Sequence, residues 1–79
     1  MCTRTLYVGD DGFVATGRNM DWKEDMFSNL WVLPAGCRRS GAAGPNSLSW
    51  TSQFGSVVTS GYEAGTPDGL NEKGLAANA

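Results

Sequence analysis

Turn-forming residues interrupt this chain at short intervals, and that spacing limits what the chain can fold into. The 79 residues include 11 glycines and 3 prolines, and the runs between them are short and rich in β-branched and aromatic side chains. Such runs are typical of strands that are joined by tight turns. No segment has an apolar period that suits a helix of ordinary length. We therefore expect mostly antiparallel β-strands and loops, with no helix.

The strands predicted from these runs include two hairpins. Strands are predicted at Thr3 to Val8, Phe13 to Arg18, Leu30 to Leu33, Ser49 to Thr51 and Ser56 to Gly61, and a hairpin at Gly69 to Asn78 that turns at residues 72–74. The first two strands enclose the turn signal Gly9–Gly12 and are expected to pair. Because paired antiparallel strands of similar length align end to end, this hairpin brings Arg18 near the start of the chain.

The middle of the chain alternates loops with short apolar runs. Residues 19–29 are polar and acidic, and residues 35–47 are rich in glycine, serine and arginine, so both are predicted as loops. The run Leu30 to Leu33 is predicted as a buried strand that ends at Pro34. Residues 49–51 and 56–61 are predicted to pair with each other around residues 53–55.

Length and charge narrow the functional classes. A domain of this size buries only about 60–65% of the surface of its unfolded chain, so we expect a thin core. The net charge of −2 and the pI near 4.7 give no basic surface for nucleic acid or for an anionic membrane. No apolar run approaches the roughly 18 residues of a membrane span, and no signal peptide follows Met1.

Cys2 follows the initiator methionine directly, and this position has a chemical consequence. Aminopeptidases commonly remove Met1 when the next side chain is small, which would leave Cys2 with a free α-amino group. A free α-amine has an unperturbed pKa of about 7.7–8.0, so at neutral pH a useful fraction can act as a base. One residue would then hold a thiol nucleophile and its own base, a known variant of the catalytic triad. The alternative is an ordinary thiol on a frayed terminus.

Several mechanisms are excluded by composition. The chain contains no histidine, so it cannot assemble Ser-His-Asp or Cys-His catalysis by itself. A zinc site would have to be built from only two cysteines, Cys2 and Cys37, together with carboxylates, so we expect no metal. A catalytic Cys2 must stay reduced, so we also expect no disulfide. The glycines at 36, 41 and 44 lack the lysine and hydroxyl residue of a phosphate loop. We expect no cofactor.

Five blocks of sequence carry a resemblance to a known family. They are Met1–Arg4, Gly17–Trp22, Asn29–Pro34, Trp50–Val58 and Asp68–Leu75. In order and spacing they resemble the choloylglycine hydrolase and penicillin V acylase family, and most of all its penicillin V acylase-like branch from Gram-negative bacteria. The resemblance implies an N-terminal nucleophile (Ntn) hydrolase with a four-layer αββα sandwich, an α+β fold. It also implies cleavage of a linear, non-peptide C–N amide bond through an acyl-cysteine intermediate.

The resemblance assigns roles to particular residues. Cys2 corresponds to the nucleophile, Arg18 to the arginine beside the thiol, and Asp21 to the aspartate near the α-amine. Met20 and Trp22 correspond to residues that line the acyl pocket. These roles agree with the chemistry, because a guanidinium favours thiolate and can orient an acyl carbonyl, and a carboxylate steadies an ammonium. The alternative is that Arg18 and Asp21 form a surface ion pair worth about 0–1 kcal/mol.

Family members are several times longer, so we expect this chain to be the incomplete N-terminal part, residues 1–79, of one catalytic domain. The apolar run 75–79 ends without a turn or a polar tail, which agrees with this expectation. The oxyanion-stabilising residues of the family lie beyond Ala79, so the isolated chain is predicted to be inactive and poorly stable. Localisation stays open between cytoplasm and periplasm, and the resemblance implies a homotetrameric parent.

Three functions stay open from the sequence. The first is an amide hydrolase whose parent acts on penicillin V, conjugated bile salts or N-acyl homoserine lactones, with this small-molecule amide as its partner. The second is a non-catalytic binding or interaction domain on the same scaffold. The third is a small independent β domain in which Cys2 is incidental.

Overall fold

Eight short strands, joined by turns and loops, form the regular structure of the chain. They are β1 (Thr3–Val8), β2 (Val14–Asn19), β3 (Leu30–Leu33), β4 (Arg38–Ser40), β5 (Ser49–Thr51), β6 (Ser56–Gly61), β7 (Gly65–Asn71) and β8 (Ala76–Asn78). The computed structural model describes all 79 residues. It contains no helix that is long and apolar enough to cross a membrane. The prediction of strands and loops without a helix is confirmed.

The first hairpin forms as predicted. β1 and β2 pair antiparallel in a two-stranded sheet, with Arg4 opposite Arg18, so Arg18 does lie near the start of the chain. The turn is closed by the N–H of Gly9, which donates to the carbonyl of Phe13 at 2.7 Å. Gly12 has a φ of 82°, a conformation that glycine adopts without steric cost.

The second sheet has four strands in the order β3-β6-β7-β8, and every pair of neighbours is antiparallel. β6 therefore has β3 on one side and β7 on the other. This arrangement corrects the predicted pairing of residues 49–51 with 56–61, because β6 has no free edge for β5. Instead β5 pairs with β4, a strand inside the segment that was predicted as a loop.

The β7–β8 hairpin confirms the predicted turn at residues 72–74. The side-chain carbonyl of Asn71 accepts hydrogen bonds from the backbone N–H groups of Lys73 and Leu75, each at 3.0 Å. Gly74 supplies the positive φ of 82° that the turn requires. β7 begins earlier than predicted, at Gly65, and this extension brings Asp68 into the sheet.

The chain has almost no interior of its own. Only 2 of 79 residues are buried, and neither is a hydrophobic side chain. The prediction that Leu30 to Leu33 is a buried strand is wrong for this chain, since Leu30 is 75% exposed and Val32 is 74% exposed. These side chains lie on sheet faces that no other part of the 79 residues covers. The chain therefore forms apolar sheet faces that are not packed against another layer.

We expect the isolated 79-residue chain to bind the dye ANS strongly and to melt without a cooperative transition. Packed apolar side chains are what make unfolding cooperative, and here the large hydrophobic residues are exposed. Far-UV circular dichroism during heating, with ANS fluorescence at 25 °C, measures both effects. A sharp melting transition with no ANS signal would contradict this expectation.

Candidate active site

The register of the first hairpin places Cys2 and Arg18 on one face. Arg4 lies directly opposite Arg18, and Cys2 lies two residues before Arg4, so all three side chains point to the same side. Cys2 and Arg18 are thus diagonal neighbours, with Cβ atoms expected about 7–8 Å apart, a distance that an arginine side chain can span. Cys2 itself is exposed, and its thiol is free.

Arg18 makes a two-pronged ion pair with a residue from the other sheet. Its Nε donates to Oδ1 of Asp68 at 2.7 Å, and its Nη2 donates to Oδ2 at 2.5 Å. The Arg18 side chain is only 6% exposed, against 26% for Asp68. The alternative of a surface ion pair between Arg18 and Asp21 is therefore wrong, since the carboxylate partner of Arg18 is Asp68.

The carboxylate of Asp68 is held from three directions. Besides Arg18, the Nδ2 of Asn78 donates to Oδ1 at 2.8 Å, and the hydroxyl of Thr59 donates to Oδ2 at 3.4 Å. The hydrogen bonds from Arg18 hold the pKa of Asp68 below its ordinary value, although burial acts to raise it. The hydrogen bonds from Asn78 and Thr59 lower the pKa further. Asp68 therefore stays ionised throughout the neutral range. The stability that the ionised carboxylate contributes is complete above the ordinary aspartate pKa of about 3.9. It is lost as the pH falls through the lower pKa that Asp68 has in the folded chain.

The guanidinium of Arg18 also lies near the side chain of Cys2. The pKa of Arg18 is raised chiefly by its hydrogen bond to Asp68, while burial acts in the opposite direction. The charge of Asp68 and then the Cys2 side chain add to the rise. The register of the first hairpin likewise puts these two side chains on one face.

Asp21 lies at the amino terminus. Its Oδ2 is 3.9 Å from the terminal ammonium of Met1, and both groups are well exposed. Continuing the register of the hairpin past Thr3 sets Met1 opposite Asp21, which explains the contact. With Met1 present, the nitrogen that Asp21 contacts belongs to Met1, and the nitrogen of Cys2 is a peptide amide.

Met20 and Trp22 lie in the loop that follows β2. Met20 is half-buried, and Trp22 is exposed. The Nε1 of Trp22 donates to the hydroxyl of Tyr62 at 2.7 Å, and the N–H of Tyr62 donates to the carbonyl of Met26 at 2.8 Å. The loop is thus tied to the turn between β6 and β7. Both residues flank Asp21 in the sequence.

Asp68 is the residue of this site that sequence reasoning missed. The block Asp68–Leu75 belongs to the family pattern, but the resemblance assigns no role to its first residue. One signal was available, because aspartate is disfavoured in strand interiors and needs a partner there. The partner, Arg18, lies in a separate hairpin, so local sequence alone could not identify it.

Comparison with known proteins gives three matches. The family model described as linear amide C–N hydrolases, choloylglycine hydrolase family, matches residues 2–79. The chain is 48% identical, over 84 aligned positions, to a penicillin V acylase of Pectobacterium atrosepticum, and the alignment covers 98% of this chain and 22% of that relative. The solved structure of penicillin V acylase from Agrobacterium tumefaciens matches with a TM-score of 0.89 and 56% identity, over 99% of this chain and 24% of its own.

These matches identify the family. The strands and their order are those of part of an Ntn hydrolase, which confirms the predicted fold class. Because the family model covers nearly the whole chain, the chain belongs to the choloylglycine hydrolase family of linear amide C–N hydrolases. The chain spans less than a quarter of the length of either relative.

Proposed function

We propose that the full-length protein carrying this chain hydrolyses a linear amide C–N bond, with Cys2 as the nucleophile. The observation that carries the proposal is the register of the first hairpin, which puts Cys2 and Arg18 on one face as diagonal neighbours, in a chain that belongs to this family. The exposure of Cys2 supports the proposal, since a nucleophile must be reached by its substrate.

In the proposed reaction, removal of Met1 frees the α-amine of Cys2. The amine accepts the thiol proton, the thiolate attacks the substrate carbonyl, and a C–S bond forms. When the C–N bond breaks, the ammonium returns its proton to the leaving nitrogen. Water, deprotonated by the same amine, then cleaves the thioester and releases the acid with the thiol restored.

Two charged side chains assist these steps in the proposal. Arg18 stabilises the thiolate and orients the acyl carbonyl. Asp21 holds the α-ammonium that forms when the thiol proton is transferred, and its contact with the terminal ammonium of Met1 supports this role. Met20 and Trp22 are proposed to line the pocket for the acyl group.

Penicillin V is the proposed substrate, because both relatives are named as penicillin V acylases. Conjugated bile salts and N-acyl homoserine lactones have the same linear amide and are the next candidates. A non-catalytic binding domain is the alternative that the experiment below has to separate from the enzyme.

The test is an amide hydrolysis assay of the purified full-length protein, with intact-mass analysis of the same sample. We expect the mass to show loss of Met1 and the assay to show release of a free primary amine from penicillin V. Iodoacetamide should label Cys2 faster than Cys37, because only Cys2 lies beside Arg18 and at the surface. Retained Met1, equal labelling and no amine release from any of the three substrate classes would contradict the proposal.

A further inference from the structure

The ion pair between Arg18 and Asp68 is the strongest feature that the proposed reaction does not yet use. It joins the β1–β2 hairpin, which carries Cys2, to the four-stranded sheet. We propose that Asp68 is a positioning residue of the active site, which fixes the guanidinium of Arg18 against the Cys2 thiol. This inference rests on the proposed function, because it assigns a further residue to the same site.

The geometry of the pair restricts Arg18 strongly. A carboxylate that accepts from both Nε and Nη2 fixes the plane and the direction of the guanidinium, which a single hydrogen bond does not do. Two of the five N–H donors of an arginine are consumed in this way. The remaining donors point away from Asp68 and are available to sulfur and to an acyl oxygen.

The carboxylate of Asp68 is itself held in place within the four-stranded sheet. Asp68 lies in β7, and its carboxylate accepts hydrogen bonds from Thr59 in β6 and from Asn78 in β8, the strands on either side. The next residue, Gly69, packs so closely on β6 that an added Cβ would lie 2.9 Å from Cγ1 of Val58. Three strands therefore set the position of this one carboxylate.

The hairpin has few other polar contacts with the sheet. The hydroxyl of Thr16 donates to Oδ1 of Asn78 at 3.4 Å, which is long for an O–H donor. Thr16 and Arg18 lie two residues apart on the same face of β2, so both contacts use one surface of the hairpin. Arg18 makes no ion pair with any carboxylate other than Asp68.

In the full-length protein, Asp68→Asn is expected to lower kcat about 100-fold with little change in KM. Asparagine keeps the size of the side chain but loses the charge and one acceptor, so the guanidinium shifts, and a misplacement of about 1 Å can cost about 10²-fold in rate. Asp68→Glu restores the carboxylate and should recover part of the loss. Glu72→Gln is the matched control, because it removes one carboxylate from the same β7–β8 hairpin, at a residue whose Oε1 accepts only from the backbone of Gly55.

A double-mutant cycle separates positioning from a general structural effect. In an Arg18→Met background, Asp68→Asn should lower kcat by less than about twofold further, the size of ordinary additivity error, because its effect acts through Arg18. A full 100-fold loss in that background would overturn the inference. So would wild-type kcat in Asp68→Asn, or an equal loss in Glu72→Gln.

The iodoacetamide labelling rate of Cys2 tests the same inference without amide turnover. Asp68→Asn and Arg18→Met should each slow the labelling of Cys2, the double variant should be no slower than Arg18→Met, and Cys37 should label at an unchanged rate as the internal check on folding. Unchanged or faster labelling of Cys2 in Asp68→Asn would overturn the inference. A protein that lacks amidase activity but shows the expected labelling pattern would refute the proposed function while leaving the Asp68 assignment in place.

Discussion

Cys2→Ser in the full-length protein is expected to lower kcat by at least about 10³-fold, since loss of the nucleophile from a set of coupled catalytic groups can cost up to about 10⁶-fold. The hydroxyl of serine is a far weaker nucleophile than a thiolate, and Arg18 cannot activate it in the same way. Steady-state release of primary amine from penicillin V measures the effect. Intact mass must show that Met1 is removed to the same extent from the variant and from the parent.

Two variants make this result specific. Cys2→Ala removes the nucleophile entirely and should leave no measurable turnover. Cys37→Ser changes the other free thiol, which is half-buried and lies just before β4, and should keep the parental rate. Turnover in Cys2→Ala close to the parental value would refute Cys2 as the nucleophile.

A residue retained in front of Cys2 should lower kcat/KM by about 10²–10⁴-fold, the usual contribution of a positioned general base. In that protein the nitrogen of Cys2 is a peptide amide, which cannot accept the thiol proton. The terminal ammonium that Asp21 holds then belongs to the preceding residue, as it does for Met1 in this structure. The thiol and Arg18 are present, but the base is missing.

The measurement compares one protein before and after processing. A leader that ends in a site-specific protease sequence is placed before Cys2, and activity is assayed before and after cleavage exposes the cysteine. Activity should appear in step with the fraction of cleaved chains that intact mass reports. The same leader on Cys2→Ala should stay inactive throughout, and full activity before cleavage would show that the α-amine is not the base.

Local signals in the sequence predicted the hairpins well and the longer pairings poorly. The β1–β2 turn and the β7–β8 turn are each specified by residues within the turn, so both could be read directly. The partners of β6 are not local, since β3 lies more than 20 residues earlier in the chain. Whether β6 pairs with β3 or with β5 depends on which strand can reach the free edge of β6, and no short sequence pattern encodes that.

Burial was also hard to predict from the sequence. The apolar side chains of Leu30 and Val32 predict a buried strand. They are exposed in this chain because none of its 79 residues covers them. Composition indicates which side chains favour burial but not which surface covers them. The same reasoning applies to the site: Cys2, Arg18 and Asp21 were predicted from residue type and family pattern, whereas Asp68 required the relative position of two sheets.

The separation of 50 residues between Arg18 and Asp68 has a consequence for synthesis. A ribosome extends the chain from the amino terminus, so the hairpin and its thiol leave the tunnel well before Asp68 does. The ion pair between Arg18 and Asp68 can form only after the chain has been made at least as far as Asp68. The β1–β2 hairpin therefore cannot fix its own arginine while it is being made, and Arg18 gains its carboxylate partner only once β7 is available.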